Sequence, residues 1–118
     1  MKIQVEKINA VLSAEAAANT LIAGLMCSSA GRCATGALVF AATGNNIGRY
    51  GATPDEVMAV ESEFGVNEIM LDTIMGINDC KNTQEDRYQA VMAYVEFIRW
   101  MQDNGVDSFD AYFNDDEA

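Results

Sequence analysis

Three kinds of side chain in this chain could do chemistry: the thiols of Cys27, Cys33 and Cys80, the guanidinium of Arg32, and a run of carboxylates from Glu56 onward. Cys33 is the most suggestive. It stands beside Arg32 at what reads as a helix start, and both features favour a thiolate. The sequence contains no histidine to act as its base, and a thiol nucleophile needs one nearby. The run "GRCATGALVFAA" is apolar on almost every face, so Cys33 is expected to be a small, inert core residue rather than a nucleophile.

The same stretch fails other tests. Gly31 and Gly36 have the first spacing of a phosphate-binding loop, but Ala37 and Leu38 stand where it needs Lys and Ser or Thr. A structural zinc site needs about four soft or nitrogen ligands. Three cysteines and no histidine do not supply them without help from a carboxylate. No cofactor and no metal are expected.

The carboxylates give the best case for an enzyme. Glu61, Glu63, Glu68 and Asp72 fall on two consecutive helical stretches, with Glu68 and Asp72 four apart on one face. Oxygen ligands on facing helices suit Mg²⁺, as in all-helical nucleotide pyrophosphohydrolases. The tight ExxE…ExxD arrangement of those enzymes is absent, as is a calcium loop. The Mg²⁺-dependent hydrolase is therefore the alternative, and no catalytic residue is assigned. Asn78 and Asp79, after Gly76, read as a turn in which both side chains bond their own backbone.

These groups are positioned by elements that the sequence marks clearly. In "ATPDEVMAVESEFGV", Thr53 is an N-cap, Pro54 takes the first helical position, Glu56 completes a capping box, and Gly65 stops the helix. Asn67 caps a second helix, "EIMLDTIM", which Gly76 is expected to end. Thr83, with Asp86 three residues on, opens a third of close to twenty residues. Its apolar stripe runs Tyr88, Val91, Met92, Val95, Ile98, Met101, before an Asn104-Gly105 stop. The first fifty residues are also helical in pattern. "KIQVEKI" is taken as helix, Ser13 as the cap of "AEAAANTLIAGLMC", and Ser28 and Ser29 as caps for the cysteine-bearing helix, which Gly44-Asn45 ends. The fold expected is all-α: one bundle of four to six helices over residues 1–106 with the cysteine-bearing helix at its centre. Residues 107–118 are expected to form an aromatic turn, with Phe109, Tyr112 and Phe113 on one side, and an acidic tail.

"GRCATGALVFAATG" followed by "GINDCKNTQEDRYQAVMAYVEF" resembles a family of small uncharacterised proteins from bacteria and their phages. The resemblance rests on Cys33, Ala34, Gly36, Ala37 and Leu38, then Asn78, Asp79 and the Thr83 cap, and spans residues 20–100. The chain departs from that family in lacking the long polar insertion and the tryptophan that precede the cysteine. The resemblance implies an all-helical fold and a phage setting, and no activity.

Charge points to the kind of partner. The net charge is −11. Residues 1–53 hold four cations against two acids, whereas residues 54–118 hold three cations against sixteen acids. Such a field repels nucleic acid and attracts basic surfaces. No run of about 18 apolar residues is present for a membrane span, and the start has no signal-peptide core, so a cytoplasmic location (the host's, if phage-encoded) is expected. The function read from the sequence is a non-enzymatic acidic binding protein, an inhibitor that engages a basic, nucleic-acid-binding host protein. Its contact residues are expected to be Glu56, Glu61, Glu63, Glu68, Asp72, Phe109, Tyr112 and Phe113. Direct contact with nucleic acid or membrane is not expected; a homodimer through the Ala/Gly-rich helix is a further possibility.

Overall fold

The computed structural model describes residues 1–24, 27–28, 30–46 and 52–106. Five helices fold there into an all-α single-domain bundle: α1 (Val5–Ala17), α2 (Ala34–Thr43), α3 (Pro54–Phe64), α4 (Glu68–Asp79) and α5 (Gln84–Asp103). A two-residue antiparallel pair, β1 (Cys27–Ser28) with β2 (Gly31–Arg32), lies between α1 and α2.

α2 is the central element and touches each of the other four helices. Ala34 through Val39 are all buried, and their small side chains let neighbouring helices come close. Thr35 donates its hydroxyl to the Leu71 carbonyl of α4 at 3.1 Å. Gly44, in the left-handed conformation (φ 78°), ends the helix as its sequence suggests. The cap differs from expectation. Ser28 belongs to β1, and the helix begins only after Cys33, whose Sγ accepts the Gly36 N–H at 3.4 Å.

The three helices with N-caps legible in the sequence start where the sequence puts them. Thr53 and Glu56 make the reciprocal capping box on α3, and Gly65 closes that helix in the left-handed region. Asn67 and Thr83 cap α4 and α5 through the N–H groups of Met70 and Asp86. Val91, Met92, Val95, Ile98 and Met101 of α5 are buried, facing α1 and α4. α4 does not stop at Gly76 but runs another turn to Asp79.

The amino-terminal expectations need correction. Residues 1–4 are not helical: Ile3 is fully buried, its N–H bonds the Gln102 side chain, and Gln4 N–H bonds the Phe64 carbonyl at 2.8 Å. These long-range partners fix an extended entry before α1. Ser13 caps nothing, since α1 runs through it. The Ala-rich stretch then leaves the helix at Asn19, which has φ 63°. Thr20 bonds both the Glu15 carbonyl and the Glu15 carboxylate, while the side chains of Gln84 and Asn78 take the Leu21 N–H and the Ile22 carbonyl. Tertiary hydrogen bonds here outweigh a modest propensity. The aromatic turn expected at Phe109, Tyr112 and Phe113 lies outside the described residues.

Candidate functional site: an acidic two-helix face

α3 and α4 are consecutive, packed against each other, and joined by the short link through Gly65. Residues 54–80 contain seven acids and no lysine or arginine. Local chemistry explains how the helices hold them: Asp55, Glu56 and Glu68 lie in first turns, where carboxylates complement the helix dipole.

The expected contact residues divide by environment. Glu61, Glu63, Glu68 and Asp72 are all exposed. Glu63 holds Lys7 of α1 at 3.2 Å, a pair more than half exposed and therefore weak. Glu56 does not belong to the face: it is 7 % exposed, and its carboxylate accepts the Thr53 N–H at 2.7 Å. The capping-box role read from the same residue explains why. Phe109, Tyr112 and Phe113 lie outside the described residues. The carboxylates also fail to converge. Among the described residues, no three of His, Cys, Asp and Glu gather where a metal ion would be held.

Cys33 is fully buried, and burial pushes its thiol pKa up, with the Gly36 N–H acting in the opposite sense. The activating effect expected of Arg32 is missing because that guanidinium is committed elsewhere. It bonds Glu15 at 2.7 Å and Asn46 at 2.8 Å, and stacks 3.8 Å from the Phe40 ring centre. Together with Thr20, these groups fasten the end of α1 to β2 and α2. The sequence reading missed this clasp, whose members come from four separated stretches of chain. Gly31 allows it: with φ +148°, any Cβ there would lie 1.9 Å from the Thr20 carbonyl oxygen.

Asn78 also departs from expectation. It is a fully buried helical residue, not part of a turn. Its Oδ1 accepts the Ala34 N–H at 3.2 Å, and its Nδ2 donates to the Ile22 carbonyl at 2.8 Å. Asp79 accepts the Gly24 N–H at 2.8 Å. The pair therefore joins α4 to α2 and to the chain leaving α1, a structural duty. Of the small residues of α2, Ala34, Gly36 and Ala37 lie inside the bundle, Ala42 is half-buried and Ala41 is exposed.

No helix of the described residues is long and apolar enough to cross a membrane. No family model matches the chain, nor does any curated protein or solved structure.

Proposed function

We propose that this chain is a small acidic binding protein that acts without catalysis, through the exposed α3–α4 face, on a basic protein surface. One observation carries the reading: Glu61, Glu68 and Asp72 stand exposed on the two helices, within a stretch, residues 54–80, that has no lysine or arginine. A field of one sign concentrated on one face attracts a complementary surface and speeds encounter. The polar clusters elsewhere in the described residues are engaged in joining elements, at Asn78 and at the Glu15–Arg32 clasp.

The partner that fits is a protein whose basic surface ordinarily meets the phosphates of nucleic acid, which the acidic face would block as an inhibitor. The resemblance to small bacterial and phage proteins supports a host protein in that role. The test is capture of basic proteins from a bacterial lysate, followed by competition with duplex DNA. Displacement of the captured protein by DNA is expected; retention at saturating DNA would place binding away from the phosphate-binding surface and contradict the reading.

A further inference from the structure

The outer side of the α4–α5 pair is apolar. The two helices run antiparallel: Asn67 and Met70 share one hollow with Gln102, Thr73 meets Tyr94, and Gly76 and Ile77 share a second hollow with Ala90. Ile69, Thr73, Gly76 and Ile77 recur at i, i+4, i+7 and i+8 on α4, and Ala90, Ala93 and Phe97 at i, i+3 and i+7 on α5. None of them carries a charge, and Thr73 returns its hydroxyl to the Ile69 carbonyl at 2.9 Å. The register brings Ile69 level with Trp100, which stacks on Phe97 with ring centres 6.0 Å apart. Ile69 is 71 % exposed and Trp100 52 %. Large apolar groups gathered at one surface mark a place that something covers.

We propose that residues 107–118 supply the cover: Phe109, Tyr112 and Phe113 pack against Ile69, Phe97 and Trp100 as a strap across α4 and α5. Tether length, side-chain pattern and charge select this occupant. Val106 donates its N–H to the Met101 carbonyl at 2.8 Å and packs against the core, so the chain enters the segment from the last turn of α5, beside Trp100. Phe109 follows within about 10 Å of Val106 and Phe113 within about 25 Å, whereas Ile69 to Ile77 spans only about 12 Å. Spaced i, i+3 and i+4, the three aromatics share one side of a helical turn, with Asp107 and Asp110 off it. Exposed Asp72 and Glu96 border the strip, so those two acids must turn to water, which the pattern allows. The charged residue lining the second hollow is Lys81, which suits Asp115, Asp116 and Glu117 after Phe113 and opposes a basic partner. A second copy would bring its own charge of −11, while a tethered segment has a high effective concentration without any partner. The inference is independent of the acidic-face reading, and it withdraws the three aromatics from the partner contacts expected from sequence.

Trp100 is the only tryptophan of the chain, so its fluorescence reports the cover. In the full chain, Phe109→Ser, Tyr112→Ser and Phe113→Ser combined are expected to shift its emission to longer wavelength and to raise acrylamide quenching about twofold, with helix content by circular dichroism unchanged. Ile69→Asp, at an exposed position, tests the seat. Chymotrypsin, which cuts after aromatic side chains, is expected to cleave at Phe109, Tyr112 and Phe113 about tenfold faster in this variant than in the native chain. Emission unmoved by the triple substitution, or cleavage equally fast in Ile69→Asp and native chains, would overturn the strap and leave the flank open to a partner. A native emission that moves to longer wavelength on dilution would assign the flank to a second copy and overturn it as well.

Discussion

The side-chain oxygen of Asn78 accepts the backbone N–H of Ala34 at 3.2 Å across 44 residues of sequence. Ala34 is the first residue of α2, whose early N–H groups have no partner within the helix. The same amide donates to Ile22 and so holds three stretches of chain with one buried side chain. Asn78→Ala leaves a donor and an acceptor unsatisfied in the interior. We expect a loss of about 2–4 kcal/mol in chemical denaturation. A loss below about 0.5 kcal/mol would show that water replaces the amide.

Gly65 makes a similar demand on sequence for a different reason. Its φ is +69°, and a Cβ there would lie 2.4 Å from the Lys2 carbonyl oxygen. Gly65→Ala is therefore expected to cost about 1–3 kcal/mol through backbone strain and collision with the amino-terminal stretch. Thermal melting of the variant checks this; an unchanged midpoint would contradict the packing of residues 1–4 against the end of α3.

Cys33 links burial to pH. Its folded pKa is raised above the ordinary value of 9.0, chiefly by desolvation. In alkaline solution the unfolded chain therefore gives up this proton before the folded one does. The contribution to stability is complete below pH 9.0 and is lost as pH rises through the folded value. Denaturation across this range is expected to show stability falling with pH, and Cys33→Ala is expected to flatten that fall. A thiol reagent on the native protein should modify exposed Cys80 rapidly, and Cys33 only as the bundle opens. Equal rates at the two thiols would contradict the burial.

Glu56 and Glu61 are separated by little more than one helical turn and differ in environment, the first buried and the second exposed. Glu56→Ala removes one bond of the capping box and is expected to lower stability by about 1 kcal/mol while leaving partner association intact. Glu61→Lys is expected to do the reverse. The paired measurement is a denaturation midpoint and an association rate for each variant; the opposite pattern would place the binding role on the buried residue.

The helices that were legible in the sequence are those whose N-cap bonds a backbone N–H three residues further on. Thr53-Pro54-Glu56, Asn67 and Thr83 with Asp86 all cap as their spacing implies. What escaped the sequence reading depends on partners far along the chain. The extended start at Ile3 is set by Gln102 and its neighbours, and the break after α1 by Asn78 and Gln84. Gly76 looked like a stop because glycine is a poor helix residue, but α4 carries on to bring Asn78 against α2. The acidic face was legible because charge density is a property of composition. That Glu56 faces inward was legible only as a cap.

The central claim is that the exposed acids of α3 and α4 attract a basic partner. The most direct measurement is the association rate of the DNA-displaceable partner as a function of ionic strength, for the native chain and for Glu61→Lys, Glu68→Lys and Asp72→Lys combined. Glu63 is left in place because it pairs with Lys7. All three substituted positions are exposed: Glu61→Lys and Asp72→Lys are expected to change stability by no more than about 0.5 kcal/mol each, and Glu68→Lys, in the first turn of α4, to cost about 1 kcal/mol against the helix dipole, which leaves the bundle folded. The account predicts a native rate that falls steeply with added salt and a variant rate that is slow at low salt and nearly flat. A native rate indifferent to salt, or a variant that associates as fast as the native chain, would contradict it.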